Sequence, residues 1–344
     1  MTQIVGVTAC HCFYANDLQY INIQYLSFLN LLAQRHRQIL QRNLSSVGIM
    51  SALTHSLKFF EDEHVEASLS STPSTSGEAI VSIRARTLSS LSKDQFVSVL
   101  LSTKTVAAIV KAATKVQRVS LVTTADRTIR LVPLHGVEGE WKPVNDPELE
   151  YYDTYPGFIS SRSGPKSSDD ILENAQKDIT QGKALAMDLT CHADSKTTNN
   201  MFAKIIRGEL EQWRVWESDS HVAFLTPFGN TFGKTVLVPR KHLDSDILSL
   251  ADKDFSELAS AVWDAIQQIV GSDLGAERVG LIFEGMEVDW AHAKLIPIRA
   301  DDGREAPEQP STETYGGSVS SQPGPAADIA DLRRLLPRFS FVAT

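Results

Sequence analysis

Cysteine is scarce in this 344-residue chain: Cys10, Cys12 and Cys191 are the only three. Three scattered thiols build no disulfide framework, so the fold must rest on an apolar core in a reducing compartment. Cys10-His11-Cys12 resembles a metal cluster at first sight. Neighbours in an extended chain point apart, however, and no second Cys/His pair completes a tetrahedral site. No metal and no cofactor is expected. Basic residues are also in deficit, with 33 Lys and Arg against 42 Asp and Glu, a formal net charge of −9. That balance argues against a nucleic-acid polymer as partner, which needs a basic stripe, and leaves room for a small phosphate pocket. In the first forty residues polar side chains interrupt every apolar run well short of the ~20 residues that span a bilayer. A basic start, apolar stretch and small-residue cleavage site are missing as well. Arg35, Arg37 and Arg42 are the sole hint of a transit peptide. The expectation is a cytoplasmic protein, the nucleus being equally open, with no membrane partner.

What is present is ordinary for a globular protein: 42% hydrophobic and 22% charged residues, in a chain long enough for two domains. The order of motifs is less ordinary, because the chain repeats itself. Phe60-Glu61-Asp62-Glu63-His64-Val65 is echoed by Trp216-Glu217-Ser218-Asp219-Ser220-His221-Val222. Gly77-Glu78-Ala79-Ile80-Val81 is echoed by Gly233-Lys234-Thr235-Val236-Leu237, and Leu91-Ser92-Lys93-Asp94-Gln95-Phe96 by Leu250-Ala251-Asp252-Lys253-Asp254-Phe255. Arg130-Leu131-Val132-Pro133 answers Lys294-Leu295-Ile296-Pro297, and Thr154-Tyr155-Pro156-Gly157 answers Thr314-Tyr315-Gly316-Gly317. Five matches in register point to two copies of one domain. Residues 1–43 are read as an amino-terminal extension, 44–168 as the first copy, 169–199 as a polar, partly helical linker, and 200–344 as the second copy with a carboxy-terminal extension.

Each copy shows the same plan of two strand-like runs, a helix and two further strands. In copy 2 the helix carries Phe255, Leu258, Ala259, Val262, Ile266 and Ile269 at helical spacing, with Asp252 placed to cap or charge-stabilise its start. The fold class is α+β: two domains, each an antiparallel sheet of about five strands with a helix packed on it. The Pro/Ser/Gly-rich run from Ala306 to Pro325 reads as a flexible loop.

The stretch that carries chemistry is Trp290-Ala291-His292-Ala293-Lys294-Leu295-Ile296. Strand alternation puts Trp290, His292 and Lys294 on one face. An imidazole beside an ammonium suits phosphate chemistry, since neutral histidine can attack phosphorus and lysine can neutralise phosphate oxygens. The bland alternatives are a structural histidine, a space-filling tryptophan and a lysine that snorkels to solvent.

This run resembles the signature strand of the histidine-triad (HIT) superfamily, His-φ-His-φ-His-φ-φ with φ apolar, tryptophan and lysine standing in the outer places. Upstream, Phe202-Ala203-Lys204-Ile205-Ile206-Arg207-Gly208-Glu209 resembles the family's opening motif, His221-Val222-Ala223-Phe224-Leu225 its second strand, and Gly233-Lys234-Thr235-Val236-Leu237-Val238-Pro239-Arg240-Lys241-His242 its G-H-x-L-V-x-P-K-x-H. The likeness covers nearly all of copy 2 and is similar to fungal HIT-like proteins, in which a lysine in the third triad place is familiar. It implies His292 as the nucleophile, with Trp290 and Lys294 flanking it. It implies Phe202, Ile205 and Ile206 in the base and sugar pocket, and His242 as a structural histidine. Four places depart from the pattern. Thr226 stands for the ribose-binding aspartate, Lys234 for the histidine after the glycine, and Glu287 for a small hydroxyl residue. The loop asparagine is missing, with Phe283 and Glu284 nearby. A carboxylate at Glu287 would repel a phosphate unless Lys294 or Lys234 pairs with it.

Copy 1 has lost these groups: Thr128 falls in the nucleophile's place, Asp126 in that of Trp290, Arg130 in that of Lys294, and Arg86 replaces His242. Since HIT proteins typically join two sheets across a twofold axis, and the related galactose-1-phosphate uridylyltransferases use tandem copies, the resemblance implies an intramolecular pseudo-dimer, monomeric in solution. The implied activity is hydrolysis or transfer of nucleoside phosphates, dinucleoside polyphosphates or phosphoramidates through a nucleotidyl-histidine. The alternative is a nucleotide-binding adaptor with weak or no turnover.

Overall fold

The computed structural model describes residues 57–85, 87–124, 127–194 and 197–340. The extension over 1–43, the Cys10-His11-Cys12 cluster, Arg86 and Asp126 lie outside the described residues. Alternating apolar runs make the strands. β1 (Lys58–Glu61), β2 (Val65–Leu69) and β3 (Ala79–Ile83) precede helix α1 (Lys93–Thr114), and β4 (Val119–Thr123) and β5 (Thr128–Pro133) follow it. Helices α2 (Asp169–Thr180) and α3 (Met201–Ile206) lead to β6 (Trp213–Glu217), β7 (His221–Leu225) and β8 (Thr235–Pro239). Then come α4 (Asp252–Val270), β9 (Arg278–Phe283), β10 (Ala293–Ile298) and α5 (Ile329–Leu335). Both halves therefore run strand-strand-strand-helix-strand-strand.

The ten strands of the described residues join one antiparallel sheet in the order β1-β2-β3-β5-β4-β9-β10-β8-β7-β6. The seam is the β4–β9 pair, with Leu121 opposite Phe283 and Val122 opposite Ile282. Each half contributes five strands. Three strands precede the long helix in each half, where two were expected. β6 was hidden by Arg214, a charge in the middle of Trp-Arg-Val-Trp-Glu that is nonetheless fully buried.

Period-two alternation sends Val81, Leu121, Ile129, Leu131, Leu237, Leu281, Phe283, Ala293 and Leu295 to one face. Helices α1 and α4 cover that face. The expected α4 positions Phe255, Leu258, Ala259, Val262, Ile266 and Ile269 are all buried, and each of them except the small Ala259 contributes about 1.5–3 kcal/mol on burial. Ala251, not Asp252, is the α4 N-cap; Asp252 lies in the first turn, where its charge suits the helix dipole. Ser92 and Gln95 form a capping box that starts α1. By length and composition α1 could cross a membrane, but its Phe96, Val99, Leu100, Val106 and Val110 are buried in the core.

Two irregular tails cover the opposite face. The first (134–168) crosses onto the second half, where Tyr152 N donates to Asn230 O (2.9 Å), Gly164 N to Phe228 O (2.8 Å) and Ser167 N to Pro227 O (2.8 Å). The second (299–328) crosses back, where Thr312 N donates to Ser74 O (2.8 Å), Gly324 N to Thr72 O (3.0 Å) and Ala327 N to Ser71 O (2.9 Å). At Gly164 and Gly324 a Cβ would strike the Gly229 and Pro73 carbonyls, so only glycine lets the tails lie this close. The run over 306–325, expected as a flexible loop, is thus tied down by backbone hydrogen bonds that its Pro/Ser/Gly composition does not announce. An amphipathic helix closes each tail: α2 buries Leu172, Ala175 and Ile179, and α5 buries Leu332.

Candidate functional site

His292 sits one residue before β10, on the face opposite the long helices. The preceding run is fixed by Trp290 N donating to Val288 O (2.8 Å) and Ala291 N to Leu243 O (2.9 Å). The imidazole Nδ1 lies 2.8 Å from the Trp290 carbonyl. A carbonyl only accepts, so Nδ1 carries the proton and Nε2 holds the free lone pair. That Nε2 is buried without a hydrogen-bond partner among the described residues. Burial, reinforced by the Lys294 charge, holds the His292 pKa below the ordinary 6.5. The group is a neutral imidazole with a fixed tautomer and an unengaged nucleophilic nitrogen.

Beside it lies a buried charge cluster. Lys294 Nζ is 2.8 Å from Glu284 and 2.9 Å from Glu287. Burial acts to lower the Lys294 pKa, and the two carboxylates outweigh it, so the ammonium stays charged. Glu284 also accepts from Ser161 Oγ of the first tail (2.9 Å) and from the Tyr315 hydroxyl of the second (2.7 Å). Burial, with Glu284 next, pushes the Tyr315 pKa far up, keeping it a donor. Lys234 Nζ donates to Arg162 O (2.9 Å) and Ser161 O (3.4 Å). Burial, then repulsion from Lys294, brings its pKa down to about 7. Residues remote in sequence thus converge on His292: β8, the β9–β10 loop, β10 and both tails.

The expected pocket residues divide. Phe202 on α3 lies 5.3 Å ring to ring from His292. Ile206 is buried in the same apolar cluster, with Ile205 packed half-buried against it. Thr226, just past β7, uses its Oγ1 to accept from Phe228 N (3.2 Å), and its backbone N donates to Lys234 O (3.2 Å). The register places it beyond Lys234, away from the His292 end of β10.

Three of these side chains are already engaged within the chain. Trp290 is fully buried, its Nε1 donates to Pro239 O (3.0 Å) and its ring meets His242 edge-on at 5.1 Å, so its indole N–H is already used within the core beside the site. Lys294 does not snorkel, because two carboxylates and Ser161 O hold its ammonium inside. Lys234 is engaged by the Ser161 and Arg162 carbonyls of the first tail. Glu284, Ser161, Tyr315 and Trp141 complete the surroundings. Only long-range packing shows their roles, since Ser161 lies 133 residues from Lys294 in the chain. Among the described residues no group of three or more His, Cys, Asp or Glu is placed to hold a metal ion.

The matching place in the first half is closed. Register puts Thr128 opposite Ser82 and Arg130 opposite Ile80 on β3, as Lys294 stands opposite Val236 on β8. Arg130 Nε pairs with Glu78 at 2.5 Å and its NH2 donates to Thr72 O (2.6 Å). Glu78 also accepts from Ser74 N (2.7 Å) and Oγ (2.6 Å). Among the described residues the Arg130 and Glu78 charges match each other, and threonine stands where the imidazole would be.

No family model matches the chain. An uncharacterized HIT-like protein of Borreliella burgdorferi is 32% identical over 110 residues, spanning 30% of this chain and 78% of that protein. Among solved structures, a HIT-like protein involved in cell-cycle regulation from Bartonella henselae matches 41% of this chain and 95% of its own, at 20% identity and a TM-score of 0.27. A GalT-like protein from Arabidopsis thaliana matches 71% and 79%, at 9% identity and a TM-score of 0.42. On the sequence relationship that spans most of the Borreliella protein, this chain belongs to the HIT-like family.

Proposed function

We propose that the second half binds a nucleoside phosphate and transfers its nucleotidyl group through His292. The observation that carries this reading is the orphaned Nε2: a buried polar atom without a partner is costly unless something else uses it. With Nδ1 protonated against Trp290 O, Nε2 attacks the α-phosphorus, the bond from phosphorus to the leaving group breaks, and the leaving group takes up a proton. Water then cleaves the phosphorus–nitrogen bond and releases the nucleotide. Phe202, Ile205 and Ile206 are assigned to the base and sugar, and Lys294 to the phosphate oxygens. The substrate class is a nucleoside phosphate, dinucleoside polyphosphate or phosphoramidate. Formation of a nucleotidyl adduct on His292 tests the assignment.

A second reading, a nucleotide-binding adaptor with little turnover, is favoured by the engagement of Lys294 by Glu284 and Glu287 and of Lys234 by tail carbonyls. We also infer that the two halves are degenerate copies forming an intramolecular pseudo-dimer, with the chain a monomer. The β4–β9 seam and the exchanged tails support this, since they satisfy within one chain the sheet edges that would otherwise pair between two.

A further inference from the structure

The Lys294 ammonium is held by two carboxylates of different character. The Glu284 side chain has no exposure and is anchored by three donors: Ser161 Oγ (2.9 Å), Tyr315 hydroxyl (2.7 Å) and Lys294 Nζ (2.8 Å). The Glu287 side chain is 28% exposed, and among the described residues Lys294 is its one ion-pair partner. One carboxylate is built in and the other lies nearer the rim, with part of its side chain exposed.

The local chain reinforces this difference. Gly285 adopts φ +76°, a conformation that favours glycine, and a Cβ there would strike Ser245 O. The first tail clamps the carbonyls that follow: Trp141 Nε1 donates to Gly285 O (3.1 Å) and Val144 N to Met286 O (3.0 Å). Glu287 is the first residue past this clamp. His292 and Lys294 are only 1% and 3% exposed, so any ligand reaching them must move something aside. Glu287 is both the outermost member of the cluster and the one whose negative charge opposes an incoming phosphate.

We propose that Glu287 is an internal competitor for the phosphate site, a carboxylate seated on Lys294 that a nucleoside phosphate displaces toward solvent. This rests on the nucleotide-binding reading above and adds the group that sets its affinity. In the resting state Glu287 satisfies Lys294 and covers the approach to Nε2. When phosphate takes its place, Lys294 exchanges one anion for another and the cluster keeps its charge balance, with Glu284 unmoved. A ligand without an anionic group at this point gains nothing from the exchange, so the device selects for phosphate.

The test is calorimetric titration of AMP into the full chain, wild type, Glu287→Gln and Glu287→Ser, each checked by thermal melt. Glutamine keeps the size and removes the charge; serine removes the competing arm and serves if the glutamine variant fails to fold. Abolishing a like charge next to the phosphate site is expected to tighten AMP binding about tenfold or more. Glu284→Gln, which alters the fixed carboxylate, is expected not to tighten it. Wild-type binding with unchanged or weaker binding by both Glu287 variants overturns the competitor role and leaves the nucleotide reading intact. Binding of AMP by none of the folded proteins overturns both.

Discussion

Arg130 and Lys294 occupy matching places in the two halves of the sheet, yet their carboxylate partners come from different elements. Arg130 is closed by Glu78, the residue just before β3, at 2.5 Å. Lys294 is held by Glu284 and Glu287 of the β9–β10 loop, while Lys234, in the place matching Glu78, brings a second amine instead of a carboxylate. One exchange, glutamate for lysine before the third strand of a half, separates a self-neutralised site from one that needs anions from elsewhere. The first half contributes to the second through its tail, which supplies Ser161, the Arg162 carbonyl and Trp141.

The Arg130–Glu78 pair gives a stability prediction. Arg130→Met leaves a buried Glu78 carboxylate unpaired and is expected to cost about 3–5 kcal/mol. Arg130→Met combined with Glu78→Leu removes both charges and is expected to recover most of that loss. Urea unfolding of the single and double variants measures the difference, and equal losses in both would show that the pair is not the source.

Lys234 gives a pH prediction. Its pKa is about 7 in the folded chain, brought down by burial and then by Lys294, against 10.5 when unperturbed. From about pH 7 to 10.5 the unfolded chain holds a proton that the folded chain has released, so this group's contribution to stability rises with pH through that window and its cost is full below it. Lys234→Met removes the titration. Relative to wild type, the variant is expected to be best at pH 6 and to lose its advantage steadily by pH 10, as measured by urea unfolding at fixed ionic strength. A constant offset across that range would contradict the assignment.

The seam gives a prediction about assembly. With β4 and β9 paired inside one chain, light scattering is expected to return the mass of a single 37.9 kDa chain. A mass of twice that value at micromolar concentration would show that the seam does not replace an intermolecular interface.

Much of this arrangement was legible in the residues. The apolar spacing of α4 marked its buried face, and the alternation Trp290, His292, Lys294 against Ala291, Ala293, Leu295 separated the two faces of the sheet even though β10 begins only at Ala293. The match of Arg130 to Lys294 reappears as equal register on β3 and β8. The rest was hidden for physical reasons. β6 carries a buried Arg214 whose guanidinium is satisfied by Glu217 and by the Asp188 and Ile206 carbonyls, contacts that local pattern does not contain. Trp290 has the face of a ligand residue, but its indole N–H is used by Pro239 O. The tails bind through backbone groups, so no side-chain motif marks where they go. Glu284 looked like a neighbour of a missing asparagine and proves to be the anchor joining both tails to Lys294.

The most direct test of the central claim is intact-protein mass spectrometry after brief mixing with an adenosine phosphoramidate and an acid-free quench, on wild type and His292→Ala. The account predicts an adenylyl adduct, or released AMP, with the wild type alone, because Nε2 of His292 is the nucleophilic nitrogen left without a partner among the described residues of the site. No adduct and no product from a folded wild type that still binds AMP would contradict nucleophilic catalysis by His292 and favour the adaptor reading.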